Sequence, residues 1–372
     1  MAPPASIVIP TRDRLPYLEV ALTSIAGSAS SAGAEVLVVD DAGPSQAARE
    51  LVERFGARYE AHPGPLGLNA ARNTGVRLST GELVVFVDDD VAAHSGWLGA
   101  LLDAARENPD VDVFTGPIRA WMEDGGPHGC GRESAPVTTL DLGPADADAR
   151  FAWGANMAIR RSALKRVGSF DVSLEHGGDE QEWQERLRAD EPAARVLYVA
   201  GAAVDHRRAG RDARLPALSR TAYARGRAAR RFDAMRGQAP SLAHELSTLS
   251  RCVGHVLLRR CALGITMVAH SAGRLREALA RRAHATGPRA RAASEDFLSG
   301  ASGTVGGLDA RRRQVVDDAV DAWEVASAKR LRLSLAARER PPLRRVLVLG
   351  IRRPQHRRLA DAIAAEDRKS VV

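Results

Sequence analysis

The sequence predicts an α/β fold built on a doubly wound, mainly parallel sheet, and three observations carry that prediction. Short apolar runs alternate with helix-period stripes through the first third of the chain. Gly, Pro, Asn and Asp punctuate the joints between them. Two of the runs end in clustered acids, where ligands bind in open sheets of this kind.

Taken in order, SIVIP (6–10) reads as a buried strand, and Leu15, Leu18, Leu22 and Ile25 follow at helical spacing. AEVLVVDD (34–41) is a second strand, and Ala48, Leu51, Val52 and Phe55 form the next helical stripe, closed by Gly56. ARYEAH (57–62) is a weaker third strand, and ELVVFVDDD (82–90), entered through Thr80-Gly81, is a fourth. A helix over 97–107 and a strand over 111–118 follow. Residues 121–150 are rich in Gly, Pro and Asp and read as a long loop, a lid or an acceptor-binding insert. WGANMAIRR (153–161) returns to a strand, 168–171 is a turn, 179–189 a helix and 194–204 a further β-region.

Beyond about 215 the pattern is helical and rich in arginine to about 285. A Gly/Ser-rich joint (299–307), a helix over 310–337 and a strand–turn–helix unit from 344 complete the chain. The division expected is a first domain over 1–235, a helical region over 236–340 and the start of a second α/β domain over 341–372. That last unit has no following strand to pair with, so the natural protein is expected to run on beyond Val372.

The net charge of +7 hides a split. Residues 1–205 hold 18 Lys and Arg against 31 Asp and Glu, and residues 206–372 hold 35 against 15. The acidic half is a poor nucleic-acid surface, and the basic half is aromatic-poor without a nucleic-acid motif, so no nucleic-acid partner is expected. The basic helices suit anionic lipid, an acidic acceptor or the acidic half itself. Within them, VLLRRCALGITMVAH (256–270) reads as core rather than membrane-inserted. No apolar run approaches the roughly 20 residues of a membrane span, and the first strand begins too early for a signal peptide. The expected place is the cytoplasm, with the inner membrane face open to the basic region. Three cysteines without a CxxC pair argue against a disulfide framework and a zinc site, leaving ordinary reduced thiols.

Chemistry concentrates in acids. Asp88-Asp89-Asp90 closes an apolar strand with three mutually repelling carboxylates, which a hard cation explains and fold stability does not. Alternation along an extended chain puts Asp88 and Asp90 on one side. Asp40-Asp41 either caps the next helix or accepts the imide N–H of a nucleobase such as uracil. Gly177-Gly178-Asp179-Glu180 opens a helix whose dipole favours acids, yet a carboxylate there also suits a general base on an acceptor hydroxyl.

IPTRDR, VVDDAG, NAARNTG, TGELVVFVDDD, WGANMAIRRSALKRVGSFD and GGDEQEWQERL follow one another as in family-2 glycosyltransferases of the GT-A fold, a resemblance covering roughly residues 5–232. The resemblance implies an inverting transfer from a nucleoside-diphosphate sugar, UDP favoured, with Mn2+ or Mg2+. It implies a nucleobase pocket at Pro10, Thr11 and Asp41 with Asp40 nearby, and Arg72 and Asn73 flanking the donor. Asp88 and Asp90 would form the DxD element, Asp90 being the closest metal ligand and Asp89 lying on the donor side. Counting back from Arg186 makes Glu180 the base, with Asp179 the alternative because the family's Glu-Asp order is reversed here. Trp153, Gly154 and Asn156 would shape the acceptor side, for a glycan, a lipid-linked or a small-molecule hydroxyl. His206 would touch metal or diphosphate, although a lone His beside arginines is also an ordinary surface residue. Arg207 and Arg208 would assist the leaving diphosphate.

Rival readings lack their motifs. A nucleotidyltransferase usually carries a Gly-rich basic loop where this chain has PTRDRLPY, and GxGxxG is absent after the first strand. A non-catalytic nucleotide- or carbohydrate-binding module remains the alternative of a different class.

Overall fold

A computed structural model describes residues 2–286, except 132, 134, 135 and 175–177. The joint, helix and strand–turn–helix unit expected beyond residue 286 lie outside the described residues, as does the division proposed there.

The first half lays down β1 (Ala5–Thr11), α1 (Leu15–Ala32), β2 (Glu35–Asp40), α2 (Gln46–Arg54), β3 (Arg58–Ala61), α3 (Leu68–Leu78) and β4 (Leu83–Phe86). After β4 come β5 (Val91–Ala93), α4 (Trp97–Glu107), β6 (Val113–Thr115), β7 (Ile118–Met122), β8 (Ala147–Ala149), β9 (Met157–Arg160) and α5 (Arg161–Val167). The remainder is α6 (Asp179–Asp190), β10 (Val196–Tyr198), β11 (Val204–Arg208), α7 (Leu215–Met235), α8 (Leu242–Arg259) and α9 (Gly264–Thr286).

Eight strands form one mainly parallel sheet in the order β3-β2-β1-β4-β9-β6-β10-β8, with β9 antiparallel to both its neighbours. β1 is buried along its whole length, as an apolar strand covered on both faces must be. Its period of two splits the core: Ile7 and Ile9 pack with Leu18, Leu22, Ile25 and Leu101 on one side. Val8 joins Val84, Phe86, Ile159 and Trp183 on the other. Each such fully buried aliphatic side chain contributes about 1.5–3 kcal/mol.

Three expected strands depart from the observed ones at their ends. The run 111–118 divides at Gly116-Pro117, so β6 stays in the large sheet while β7 enters a second, three-stranded sheet ordered β5-β11-β7. Proline has no N–H to extend the ladder. The region 194–204 divides likewise into β10 and the start of β11. In 153–161 only Met157–Arg160 is strand, and RSALKRV turns directly into α5.

The basic helices answer their charge locally. Arg230 and Arg274 meet Glu245 at 3.2 and 2.9 Å, and Arg227 meets Glu277 at 3.0 Å. Arg236 reaches Glu185 on α6 at 2.8 Å, so part of the basic half pairs with the acidic one. α7 and α9 touch backbone to backbone. A Cβ on Gly226 would sit 2.0 Å from the His270 carbonyl oxygen, and one on Gly273 2.1 Å from that of Tyr223. The expectation that 256–270 is core fails at its start, where Leu257 and Leu258 are 72% and 85% exposed.

Candidate active site

β4 stops at Phe86, so Asp88, Asp89 and Asp90 sit in the turn that leads into β5 rather than on the strand. Turn geometry, not strand alternation, brings Asp88 and Asp90 together. The small sheet then supplies the third member: β11 pairs His206 with Val91, and the donor atoms of Asp88, Asp90 and His206 all lie within 4.8 Å of one another. His206 Nδ1 lies 3.0 Å from the Thr138 carbonyl, which fixes the proton there and turns the Nε2 lone pair inward. That lone pair is 3.2 Å from Asp90 Oδ1, an atom with no hydrogen-bond partner. Two acceptors so placed need a second ring proton or a cation between them, and two carboxylates with an imidazole fit Mn2+ or Mg2+.

Asp90 Oδ2 is held separately, by Arg14 Nη1 at 2.9 Å and by Arg208 Nη1. Burial alone would raise this carboxyl; with no cation bound, the second ring proton that this pairing calls for on His206, with the Arg208 and Arg14 guanidiniums, outweighs it and keeps Asp90 ionised far below the usual range. Asp89 turns the other way. Its oxygens accept from Thr11 Oγ1 and Arg14 Nη1, each at 2.8 Å, so it fastens the turn to β1 instead of facing a donor.

The second acidic pair rests on Arg72, which is 1% exposed. Its Nη1 donates to Asp179 at 2.5 Å and its Nη2 to Glu180 at 2.8 Å. Arg72, expected to flank the donor, lies beneath the acids at the start of α6 and within electrostatic reach of Asp88. Packing fixes that helix: Trp183 and Leu187 point into the core, and Gln184 brackets Ala152 through its N–H and C=O at 2.8 and 2.9 Å. The bracket sets the Gly154 N–H 3.2 Å from Glu180 Oε1. A Cβ on residue 154 would meet Arg72 Nη2 at 2.0 Å and Glu180 Oε1 at 2.7 Å, so only glycine fits there.

The two acids diverge. Burial and the adjacent Glu180 charge push Asp179 up to about 7. Burial would raise Glu180 too, but the Arg72 charge, the Asp179 hydrogen bond and the Gly154 amide leave it below its ordinary value. Below about 7 the proton of the pair therefore resides on Asp179, and Glu180 is the ionised member. Both face a cleft of about 470 Å³ that Asp88, Trp153, Gly154 and α7 also line.

The remaining expected residues divide. Asp41 is a hub: its Oδ1 accepts from His62 and from the Leu66 N–H, each at 2.8 Å, and its Oδ2 from the Gly67 N–H at 3.0 Å. It lies beside buried Pro10 and Thr11 at the end of β1. Asp40 is spent on the Ala42 N–H and the Tyr59 hydroxyl, both at 2.9 Å, which is the turn-capping role rather than the nucleobase one. Asn73 does not face the donor: it clasps the N–H and C=O of Phe170, each at 2.9 Å. Asn156, expected on the acceptor side, is fully buried; its Oδ1 accepts from Trp97 Nε1 and its Nδ2 donates to the Ala202 carbonyl.

Three contributors were not singled out from sequence. Arg14 lies within the quoted IPTRDR run, and Arg225 and His270 line the cleft from α7 and α9. Arg225 also donates to the Pro136 carbonyl at 3.2 Å. Arg14 had a local signal in its motif; one arginine among many on α7 had none.

Residues 6–168 match the family description "Glycosyl transferase family 2". The chain is 33% identical over 219 residues to a pre-mycofactocin glycosyltransferase of Mycobacterium tuberculosis (strain ATCC 25618 / H37Rv), covering 56% of this chain and 44% of that protein. It is 33% identical over 186 residues to the succinoglycan biosynthesis protein ExoM of Rhizobium meliloti (strain 1021), covering 45% of this chain and 55% of that one. The chain thus spans about half the length of these relatives. Among solved structures, the mannosyltransferase PcManGT from Pyrobaculum calidifontis, in complex with GDP-Man and Mn2+, overlaps with a TM-score of 0.45 at 16% identity, covering 80% of this chain and 81% of that one. Asp41, Arg72 and the Asp88–Asp90 turn all lie within the residues that match glycosyl transferase family 2.

Proposed function

We propose that this protein moves a hexose from a nucleoside-diphosphate donor, UDP-linked by preference, to an acceptor hydroxyl with inversion at the anomeric carbon. The observation that carries the reading is an ionised carboxylate, Glu180, lining the same cleft as Asp88 of the Asp88–Asp90–His206 cluster. A base and a diphosphate anchor that share one cleft are what a single displacement needs.

Glu180 takes the proton from the acceptor hydroxyl, which attacks the anomeric carbon from the face opposite the leaving diphosphate. Asp179 keeps its own proton and donates to Glu180, and the Gly154 N–H orients the reacting oxygen. Asp88, Asp90 and His206 hold Mn2+ or Mg2+, which when bound neutralises charge developing on the leaving group. Arg14 and Arg208 lie close enough to Asp90 to pair with phosphate oxygens. Asp41 Oδ2 accepts from the Gly67 N–H and retains a lone pair for a uracil imide. Trp153 and Gly154 face the acceptor.

The acceptor is proposed to be lipid-linked, presented at an anionic membrane face. Leu246, Val253 and Leu257 form one exposed stripe of α8 with Leu258 beside it, and Arg251, Arg259 and Arg260 flank it. No helix among the described residues is long and apolar enough to cross a membrane. Co-sedimentation with phosphatidylglycerol vesicles, lost on Leu257→Ser with Leu258→Ser, checks that surface.

The deciding experiment offers a panel of nucleoside-diphosphate sugars with Mn2+ or with EDTA. Metal-dependent release of the nucleoside diphosphate is expected from one donor, and Glu180→Gln should lower it by about 10²–10⁴-fold while donor binding persists. Binding of donors without release by the native chain would leave a non-catalytic module instead.

A further inference from the structure

A second cluster of metal-ligating side chains lies outside the cleft. Cys130 and Glu133 come from the loop between β7 and β8, His255 from the last turns of α8 and Cys261 from the α8–α9 joint. Their donor atoms all lie within 4.8 Å of one another. Glu133 Oε1 sits at the middle: Cys261 Sγ is 2.7 Å away, His255 Nε2 2.8 Å and Cys130 Sγ 2.9 Å. Cys130 Sγ and His255 Nε2 are 3.5 Å apart. A tetrahedral zinc centre with bonds of about 2.0–2.3 Å has ligand–ligand edges of roughly 3.3–3.8 Å; the Cys130–His255 separation meets that, while Glu133 Oε1, hydrogen-bonded among the other three, would draw back to admit the ion.

The surroundings match a metal's outer contacts. The Gly264 N–H points at Cys261 Sγ from 3.2 Å, and the Cys130 and Gly131 N–H groups reach Glu133 Oε2 at 3.0 and 3.1 Å. Such bonds orient first-row ligands and temper thiolate charge. The Glu133 side chain is 1% exposed and Cys261 is buried, so the cluster is enclosed on its inner side. Read along the chain the ligands are Cys130-x2-Glu133 and His255-x5-Cys261, two short-spaced pairs of the kind zinc sites use. The sequence-based expectation against zinc rested on the absence of CxxC, a pattern that leaves aside pairs completed by glutamate or histidine.

We propose that Cys130, Glu133, His255 and Cys261 form a structural zinc site that staples the β7–β8 loop to the α8–α9 joint. Two sulfur donors favour zinc over magnesium, calcium or manganese, and four protein ligands leave no open position for catalysis. On binding, the two thiol protons leave to solvent and Zn2+ takes up both thiolates, the neutral imidazole and the carboxylate. The staple reaches the cleft through the chain that follows it. Pro136 accepts from Arg225, and the Thr138 carbonyl bonds His206 Nδ1. The Leu263 N–H, donating to the His128 carbonyl at 2.9 Å, ties the same two segments by backbone.

The test uses the full chain produced with zinc in the medium and dialysed without chelator. Elemental analysis is expected to find one zinc per chain, retained in His206→Ala and lost in Cys130→Ser and in Cys261→Ser. Cobalt exchanged into the native chain should show sulfur-to-cobalt charge transfer and intense tetrahedral bands, absent from Cys130→Ser. Cys130 lies at the surface, so its serine variant remains informative if the Cys261 variant fails to fold. Zinc content unchanged in Cys130→Ser, no zinc in the native chain, or a Cys130–Cys261 disulfide found by mass spectrometry would each overturn the proposal.

Discussion

Asp90 Oδ1 and His206 Nε2 face each other across 3.2 Å, with the imidazole proton committed to the Thr138 carbonyl on the far side of the ring. A pair of lone pairs held this close is a cation trap. Asp90→Asn and His206→Ala should each weaken Mn2+ binding by at least about 10–100-fold, the loss that follows even from removing an outer-shell partner. Isothermal titration with Mn2+ on the dialysed protein measures it, and native-like affinity in both variants would remove the metal assignment.

Arg72 is the cation that both buried carboxylates bond. Arg72→Met leaves Asp179 and Glu180 without it and is expected to cost about 3–5 kcal/mol of stability. Urea unfolding at pH 7 reads the loss. Because Glu180 owes its low value chiefly to Arg72, any folded fraction should also need a higher pH for half-maximal transfer.

Asp179 makes stability depend on pH with a definite sign. Its carboxyl holds a proton to about 7 when folded but releases it near 3.8 when unfolded. The folded state therefore binds more protons across that window, and stability falls as pH rises through it. The contribution is complete below the unfolded value and gone above about 7. One group sets a slope of at most about 1.4 kcal/mol per pH unit. Unfolding midpoints in EDTA should fall less steeply for Asp179→Asn, while Asp89, pushed up to about 7 chiefly by burial, retains its own share.

Gly154→Ala places a methyl where the Arg72 and Glu180 head groups lie. Both the base and its Arg72 support must move, and displacement by about 1 Å costs on the order of 10²-fold in rate. Steady-state kinetics on the folded variant should show the fall in kcat, with a thermal midpoint below native; unchanged kcat would argue that Glu180 is not the reacting carboxylate.

The strands were legible because burial on both faces demands apolar runs such as IVI and LVVF, and the acid turn because three carboxylates have no local reason to adjoin. Partnerships formed over long sequence separations were not. Asp89 reads like its neighbours until Arg14 and Thr11 come round to meet it, and Asn156 looks like a ligand-facing amide until Trp97 and Ala202 enclose it. β6 and β7 form one apolar stretch by composition, and only the missing N–H of Pro117 marks where the chain changes sheets. The basic half misled for a related reason: arginine counts say nothing of whether Glu245, Glu277 or Glu185 stands opposite.

The paired glycine contacts between α7 and α9 have a mechanical consequence. With Gly226 against His270 and Gly273 against Tyr223, neither helix can slide or roll without driving the other's backbone, so the two act as one lever. Arg225 and Phe232 sit on one arm and His270 on the other, all at the cleft. Movement of α9 would therefore reach the cleft directly, through the backbone contact with α7.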